Sequence, residues 1–204
     1  MDFRQCLVTG ASSGIGKATC SILTAYGAKV VGTGRNEEEL IALKNEGGIY
    51  DFVVADITKE GDCERVVSGA VSILGGLTTV VNAAGGLRGG AVGAIDLENY
   101  NYNMKLNTQA PFEIMAHAIP HLKEQKDKFP SIVTVSSVNG KQSFAACASY
   151  CMSKAAVDQL TRCASIDLAE FGIRVNSVNP GVIKTNLHKV RFAFWPWILL
   201  HRAS

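Results

Sequence analysis

The sequence has no acidic side chain after Glu170, no Cys-x-x-Cys pair and no apolar run near the roughly 20 residues a membrane-spanning helix needs. It also lacks an excess of either charge, since 20 lysines and arginines face 18 acids for a net of +2. Without a strongly basic balance there is no case for nucleic acid as the main partner. Without a long apolar run, no transmembrane span is expected. Without Cys-x-x-Cys spacing, the six cysteines (6, 20, 63, 147, 151, 163) do not form a metal or redox motif. Most of them sit in apolar runs, where a thiol packs as a small hydrophobe. Met1-Asp2-Phe3-Arg4 leads into a strand-like run rather than a secretory signal. A reduced, intracellular, cytoplasmic protein is the expectation. His117 and His121 share a helix face, but Pro120 lies between them and no third ligand is in place, so no metal is expected.

What is present is a globular composition. At 47% hydrophobic and 19% charged over 204 residues, the chain is long enough to bury a sizeable core. The charge is unevenly spread. Residues 1–170 carry 15 basic and 18 acidic side chains, a net of −3, whereas residues 171–204 carry five basic side chains and no acid. Both tryptophans and the cluster Phe192, Phe194, Trp195, Trp197 lie in that last part.

Short Val- and Ile-rich runs alternate with helical patterns. Strands are predicted at Cys6–Thr9, Lys29–Thr33, Phe52–Ala55, Thr78–Asn82, Ile132–Ser136 and Arg174–Val178. Helices are predicted at Ile15–Tyr26, Glu37–Asn45, Lys59–Leu74, Leu97–Gln125 and Ser149–Phe171. This alternation predicts an α/β fold, a Rossmann-type doubly wound parallel sheet with helices on both faces. Such sheets bind ligands outside the carboxyl ends of their strands.

The motifs fall at those ends. Thr9-Gly10-Ala11-Ser12-Ser13-Gly14-Ile15-Gly16 follows the first strand and opens the first helix. Its glycines permit a tight turn and close approach of a phosphate, and the helix amino end adds free N–H groups and a positive dipole. Three glycines in seven residues also make an ordinary loop, and the strand–loop–helix setting is what points to a dinucleotide. Arg35 ends the second strand where an arginine would meet a ribose 2′-phosphate, or it is a solvated arginine ahead of an acidic helix start. Asp56 stands either to bond an adenine amino group, beside Ile57, or to cap the helix beginning at Lys59. Asn82-Ala83-Ala84-Gly85 closes the fourth strand with small residues, and Asn82 either faces the ligand or ties loops together. Further on, Tyr150 and Lys154 are four apart on one helix face, where an ammonium favours the phenolate of a tyrosine that is otherwise a poor base. The same spacing is a common surface pair. Ser136 and Ser137 follow the fifth strand, and the Ser137 hydroxyl is suited to polarising a carbonyl oxygen. Asn107 by itself reads as a polar helix position. The turn Asn179-Pro180-Gly181-Val182-Ile183-Lys184-Thr185 follows the sixth strand and presents backbone and Thr185. Leu87, Val92, Gln142 and Phe144 are placed at the edge of the pocket and suggest a mostly apolar substrate.

Taken in order, these residues resemble the short-chain dehydrogenase/reductase family across roughly residues 3–188. The resemblance rests on Thr9-Gly10-x-x-x-Gly14-x-Gly16, Asp56, Asn82-Ala83-Ala84-Gly85, Asn107, Ser137, Tyr150-x-x-x-Lys154 and Pro180-Gly181. It implies an oxidoreductase transferring a hydride between NADP(H), or NAD(H), and an alcohol or carbonyl. In that scheme Tyr150 is the acid/base, Ser137 holds the substrate oxygen, and Lys154 lowers the tyrosine pKa and bonds the nicotinamide ribose. Asn107 positions a water. The cofactor set comprises Thr9, Gly10, Ser12, Ser13, Gly14, Ile15, Gly16, Arg35, Asp56, Ile57, Asn82, Ala83, Gly85, Tyr150, Lys154, Pro180, Gly181, Ile183 and Thr185. Ser13 stands where NADP-preferring members often carry a basic residue, so Arg35 alone carries the NADP expectation.

The family pattern stops near Lys189. Residues 1–189 are therefore expected to form the dinucleotide-binding domain, with the last strand missing, and 190–204 an atypical hydrophobic tail. Family resemblance implies a homo-oligomer, and the shortened end favours a dimer over a tetramer. It also leaves an alternative function, a catalytically inactive truncated isoform that binds cofactor or partner subunits.

Overall fold

A computed structural model describes residues 4–94, 96–183 and 185. Six parallel strands form one sheet: β1 (Gln5–Thr9), β2 (Lys29–Gly34), β3 (Asp51–Val54), β4 (Thr79–Asn82), β5 (Ser131–Val135) and β6 (Arg174–Val178). Their order is β3-β2-β1-β4-β5-β6, so the winding reverses between β1 and β4. Side chains of alternating parity on each strand go to opposite faces. Cys6 and Val8 of β1, with Val30 and Val81, pack on α1 (Gly14–Ala25) and α2 (Glu37–Asn45) through Cys20, Leu40 and Leu43. Leu7, Val31 and Val80 face the other way, onto α3 (Asp62–Leu74) and α5 (Ala110–Lys123) through Val66, Val67, Ile114 and Ala118. Burial on both faces is why the strands read as continuous apolar runs instead of alternating ones.

The remaining helices are α4 (Leu97–Met104) and α6 (Ala148–Asp167). Most predicted boundaries shift by one or two residues, and three helices depart further from those observed. The helix expected from Lys59 begins at Asp62, because Gly61 takes a left-handed φ of 78° and Lys59 donates its N–H back to the Asp56 carbonyl in a turn. The helix expected over 97–125 is two, joined by a π-helical turn at Lys105–Gln109 in which the Ala110 N–H reaches the Lys105 carbonyl. The helix expected to Phe171 ends at Asp167 and is followed by a short 3-10 turn, Ala169–Phe171. The expectations for the tail 190–204, and with it for a strand after β6, lie outside the described residues.

Candidate active site

A cavity of about 450 Å³ opens at the carboxyl edge of the sheet, across the point where the strand order reverses. At one end is the glycine loop. Gly10 (φ 72°) and Gly14 (φ 54°) adopt backbone conformations that side chains disfavour. A Cβ on Gly10 would lie 2.8 Å from the Ala84 main chain, and one on Gly16 would strike the Gly10 carbonyl oxygen. The loop is therefore pressed both on itself and on the segment after β4. Gly10, Ser13, Gly14, Ile15, Ala83 and Gly85 line the cavity. Thr9 does not, but its Oγ1 accepts from both Ala83 and Ala84 N–H at 3.1 Å, tying the end of β1 to β4. Thr9 thus does the loop-tying that was one reading of Asn82. The Asn82 side chain is buried, and neither its Oδ1 nor its Nδ2 has a hydrogen-bond partner. Two unpaired amide atoms at this depth mark a place where a polar ligand group would be favoured.

Arg35 lines the same cavity and joins Ser12, Asp56 and Ile57 around an adjoining recess of about 120 Å³. Asp56 is not the cap of α3. Its carboxylate accepts from Thr58 N–H at 3.1 Å and from the Thr58 hydroxyl at 2.7 Å, closing a turn. Burial pushes the Asp56 carboxyl up, but the Thr58 bonds and the nearby Arg35 and Lys59 outweigh it and hold it below the usual carboxylate range.

At the other end, Ser137, Tyr150 and Lys154 line the cavity together with Pro180, Gly181, Ile183 and Thr185. Tyr150 and Lys154 stand one turn apart on α6 and are only 6% and 4% exposed. The Lys154 ammonium donates to the Val135 carbonyl at 2.9 Å and lies 5.9 Å from the centre of the Tyr150 ring. Burial pulls Lys154 down to about 8, against the opposing pull of the Asp158 carboxylate. Ser137 caps a short 3-10 turn by accepting from Asn139 N–H at 3.2 Å. Asn179 fastens this end: its Nδ2 reaches both Asp158 carboxylate oxygens and the Ser137 carbonyl, all at 3.0 Å.

Between the two ends runs the segment 85–90, held by three asparagines spaced four apart. Asn107 accepts from Gly86 N–H and donates to the Gly86 carbonyl, both at 2.9 Å, and also donates to Ser153 Oγ. Asn103 repeats the pattern on Arg88, at 3.0 and 2.8 Å, and donates to Ser149 Oγ. Asn99 adds a bond to the Gly89 carbonyl. Four residues of helix rise ~6 Å, close to the span of two residues of extended chain, so each amide meets the next accessible peptide group. Asn107 does not line the cavity; it stands behind Gly85, where an added Cβ would sit 3.2 Å from its Oδ1 and 3.5 Å from Lys154 Nζ.

Sequence reasoning missed Arg88, Tyr102 and Asn103. Of the residues placed at the pocket edge, Leu87 lines the cavity, joined by Arg88 and Tyr102. Val92, Gln142 and Phe144 are not among its lining residues, and Val92 belongs to a separate apolar recess with Leu97, Tyr100 and Met152. The recurrence of asparagine at 99, 103 and 107 was the one visible signal for the clamp. All six cysteines are free thiols, and burial pushes Cys6 up to about 11 and Cys20 and Cys63 to about 12, as expected of packed side chains. Among the described residues no helix is long and apolar enough to cross a membrane, and no cluster of three or more potential metal ligands is present.

A glycine loop at the carboxyl edge of a doubly wound sheet, opening into one cavity with a buried tyrosine–lysine pair, defines the class, an α/β fold of the nucleotide-binding type. The family model for short chain dehydrogenases matches residues 4–194. The 2,5-dichloro-2,5-cyclohexadiene-1,4-diol dehydrogenase LinX of Sphingobium indicum is 34% identical over 183 residues, 88% of this chain and 72% of that protein. An uncharacterized oxidoreductase of Thermotoga maritima is likewise 34% identical, over 88% of this chain and 71% of its own. Among solved structures, a variant of the actinorhodin polyketide ketoreductase with NADPH superposes with a TM-score of 0.88 at 31% identity, covering 95% of this chain and 76% of that one. A 3-ketoacyl-(acyl-carrier-protein) reductase from Brucella melitensis, complexed with NADH, does so with a TM-score of 0.86 at 29% identity, covering 91% and 78%. The chain belongs to the short-chain dehydrogenase family and is an oxidoreductase.

Proposed function

We propose that this protein interconverts an alcohol and a carbonyl using NADP(H), with Tyr150 exchanging the proton at the substrate oxygen. The observation that carries this reading is the buried Tyr150–Lys154 pair opening into the cavity that also holds the glycine loop. The residues present fit a nicotinamide dinucleotide: Gly10 leaves no room for a Cβ, Gly14 takes a left-handed φ, and Asn82, paired with Thr9 in the sheet register, has an unpaired buried amide. Arg35 borders the recess shared with Ser12, Asp56 and Ile57. When bound, the cofactor supplies or accepts the hydride. The chain's own residues manage the proton. Lys154, still cationic at neutral pH, favours the deprotonated phenol of Tyr150 and so eases its proton exchange. The Ser137 hydroxyl, fixed by Asn139, is positioned to hydrogen-bond the substrate oxygen. Asn107 keeps the Gly85–Gly86 wall in place, and Thr185, whose methyl lies 3.3 Å from where a Gly14 Cβ would be, helps close the far side. For the cofactor choice, Arg35, directly after β2 and sharing its recess with Ser12, Asn36, Glu37 and Glu38, supports the phosphorylated dinucleotide through its guanidinium.

The test is titration with NADPH and NADH, then turnover on a panel of carbonyls for the native protein and Tyr150→Phe. NADPH is expected to bind at least about tenfold more tightly, and Tyr150→Phe to lower kcat by roughly 10²–10⁴ with cofactor affinity kept. Undiminished turnover in that variant overturns the mechanism.

A further inference from the structure

Among the described residues the cavity is lined by three cations, Arg35, Arg88 and Lys154, and by no carboxylate. Two of the three have work under the reading above, Arg35 beside the glycine loop and Lys154 beside Tyr150. Arg88 has none. We propose that Arg88 anchors a carboxylate on the substrate, so that the protein's substrates are hydroxy and oxo acids whose reacting carbon lies within the cavity. This rests on the oxidoreductase reading and narrows its substrate.

Arg88 is unusually well held for a side chain at a cavity mouth. Asn103, wholly buried, clamps its main chain from both the N–H and the carbonyl. Its guanidinium lies 4.1 Å over the Tyr102 ring, and Tyr102 is itself wedged where a Gly86 Cβ would be. Fixing the fork before a ligand arrives lowers the entropic cost of binding. Only one bond occupies the fork, from Nη1 to Glu98 at 2.7 Å. The Glu98 side chain is 81% exposed, and an ion pair of that kind contributes ~0–1 kcal/mol. A ligand carboxylate can therefore take its place at little cost, and the remaining N–H groups suit bidentate capture. Among the described residues the cavity lining itself holds no acid, so Glu98 is the carboxylate that an entering anion displaces.

The experiment is isothermal titration calorimetry with a series of oxo acids of increasing carbonyl-to-carboxylate spacing, each against its methyl ester, with and without NADPH. Native protein, Arg88→Leu and Glu98→Gln are compared. At least one acid is expected to bind ten-fold or more tightly than its ester. That preference disappears in Arg88→Leu and grows several-fold in Glu98→Gln, where the competing carboxylate is gone. Acids and esters binding alike in the native protein, no acid binding at all, or a preference surviving Arg88→Leu each overturn the assignment. If Arg88→Leu proves unstable, Glu98→Gln decides alone, since an anchor released from Glu98 must bind acids more tightly. Failure of the oxidoreductase reading shows elsewhere, as turnover undiminished in Tyr150→Phe.

Discussion

The two ends of the cavity are built by different means. At the glycine-loop end the backbone itself is the surface: Gly10 and Gly16 matter for the side chains they lack, and what a Cβ on either would strike is main chain of Thr9, Gly10, Ala83 and Ala84. At the tyrosine end the surface is made of side chains, and each depends on a hydrogen bond for its place. Lys154 is fixed by the Val135 carbonyl, Ser137 by Asn139, and the Pro180-Gly181 turn by Asn179 on Asp158. A backbone site tolerates no added atom, whereas a side-chain site degrades by steps as its supports are removed. The largest expected effect therefore lies at the first end. Gly16→Val drives branched carbons into the Gly10 carbonyl and must displace the loop. Cofactor affinity is expected to fall by more than about 100-fold, some 3 kcal/mol, while the remote α5 and β6 stay folded. Titration of NADPH against the variant checks this, and near-native affinity would show that the loop can yield.

The difference also explains what could be read from the sequence. The glycine loop, the strand ends and the Tyr150–Lys154 spacing are local patterns, set by the periods of strand and helix, and the parallel sheet followed from their alternation. The supports of the tyrosine end are not local. Asn103 meets residues 15 and 46 positions away, and Asn179 meets Asp158 21 positions away. Nothing in composition distinguishes these from solvent-facing polar residues. Arg88 went unmarked for the same reason. Asp56 shows the reverse: of its two readings, the capping one came from its place three positions before a helical pattern, and it closes a turn instead, because Gly61 delays the helix to Asp62.

A second, smaller effect belongs to the tyrosine end and depends on pH. In the folded chain Lys154 loses its proton near 8, against 10.5 for an ordinary lysine. Between those values the unfolded chain holds more protons, so this group's contribution to stability rises with pH through that window and is a constant penalty below it. Activity runs the other way. As Lys154 discharges above about 8 its support for Tyr150 is lost, and kcat/KM is expected to fall by roughly tenfold per pH unit. Lys154→Arg, which stays charged, should move the descending limb upward. A profile with the same limb in both proteins would remove Lys154 from its origin.

The smallest effect sharpens the comparison most, because Asn103 is itself wholly buried and does not line the cavity. Asn103→Leu keeps the volume of a wholly buried side chain but removes both bonds to Arg88 and the bond to Ser149, the residue before Tyr150. Leaving the Arg88 N–H and carbonyl unpaired costs ~1–3 kcal/mol, a fall in Tm of roughly 2–10 °C for a chain of this size. A purely structural role would end there, with the folded fraction fully active. If the asparagine clamp positions the wall of the cavity, KM rises several-fold in the folded variant while kcat changes little and cofactor affinity not at all, because the glycine loop is held by its own backbone. Asn103→Asp separates the two further. It retains the acceptor for Arg88 N–H and loses the donors, so its KM is expected between those of the native protein and Asn103→Leu. Equal KM in all three would mean that segment 85–90 keeps its place through Asn99 and Asn107, and that the tyrosine end is less finely supported than its hydrogen bonds imply.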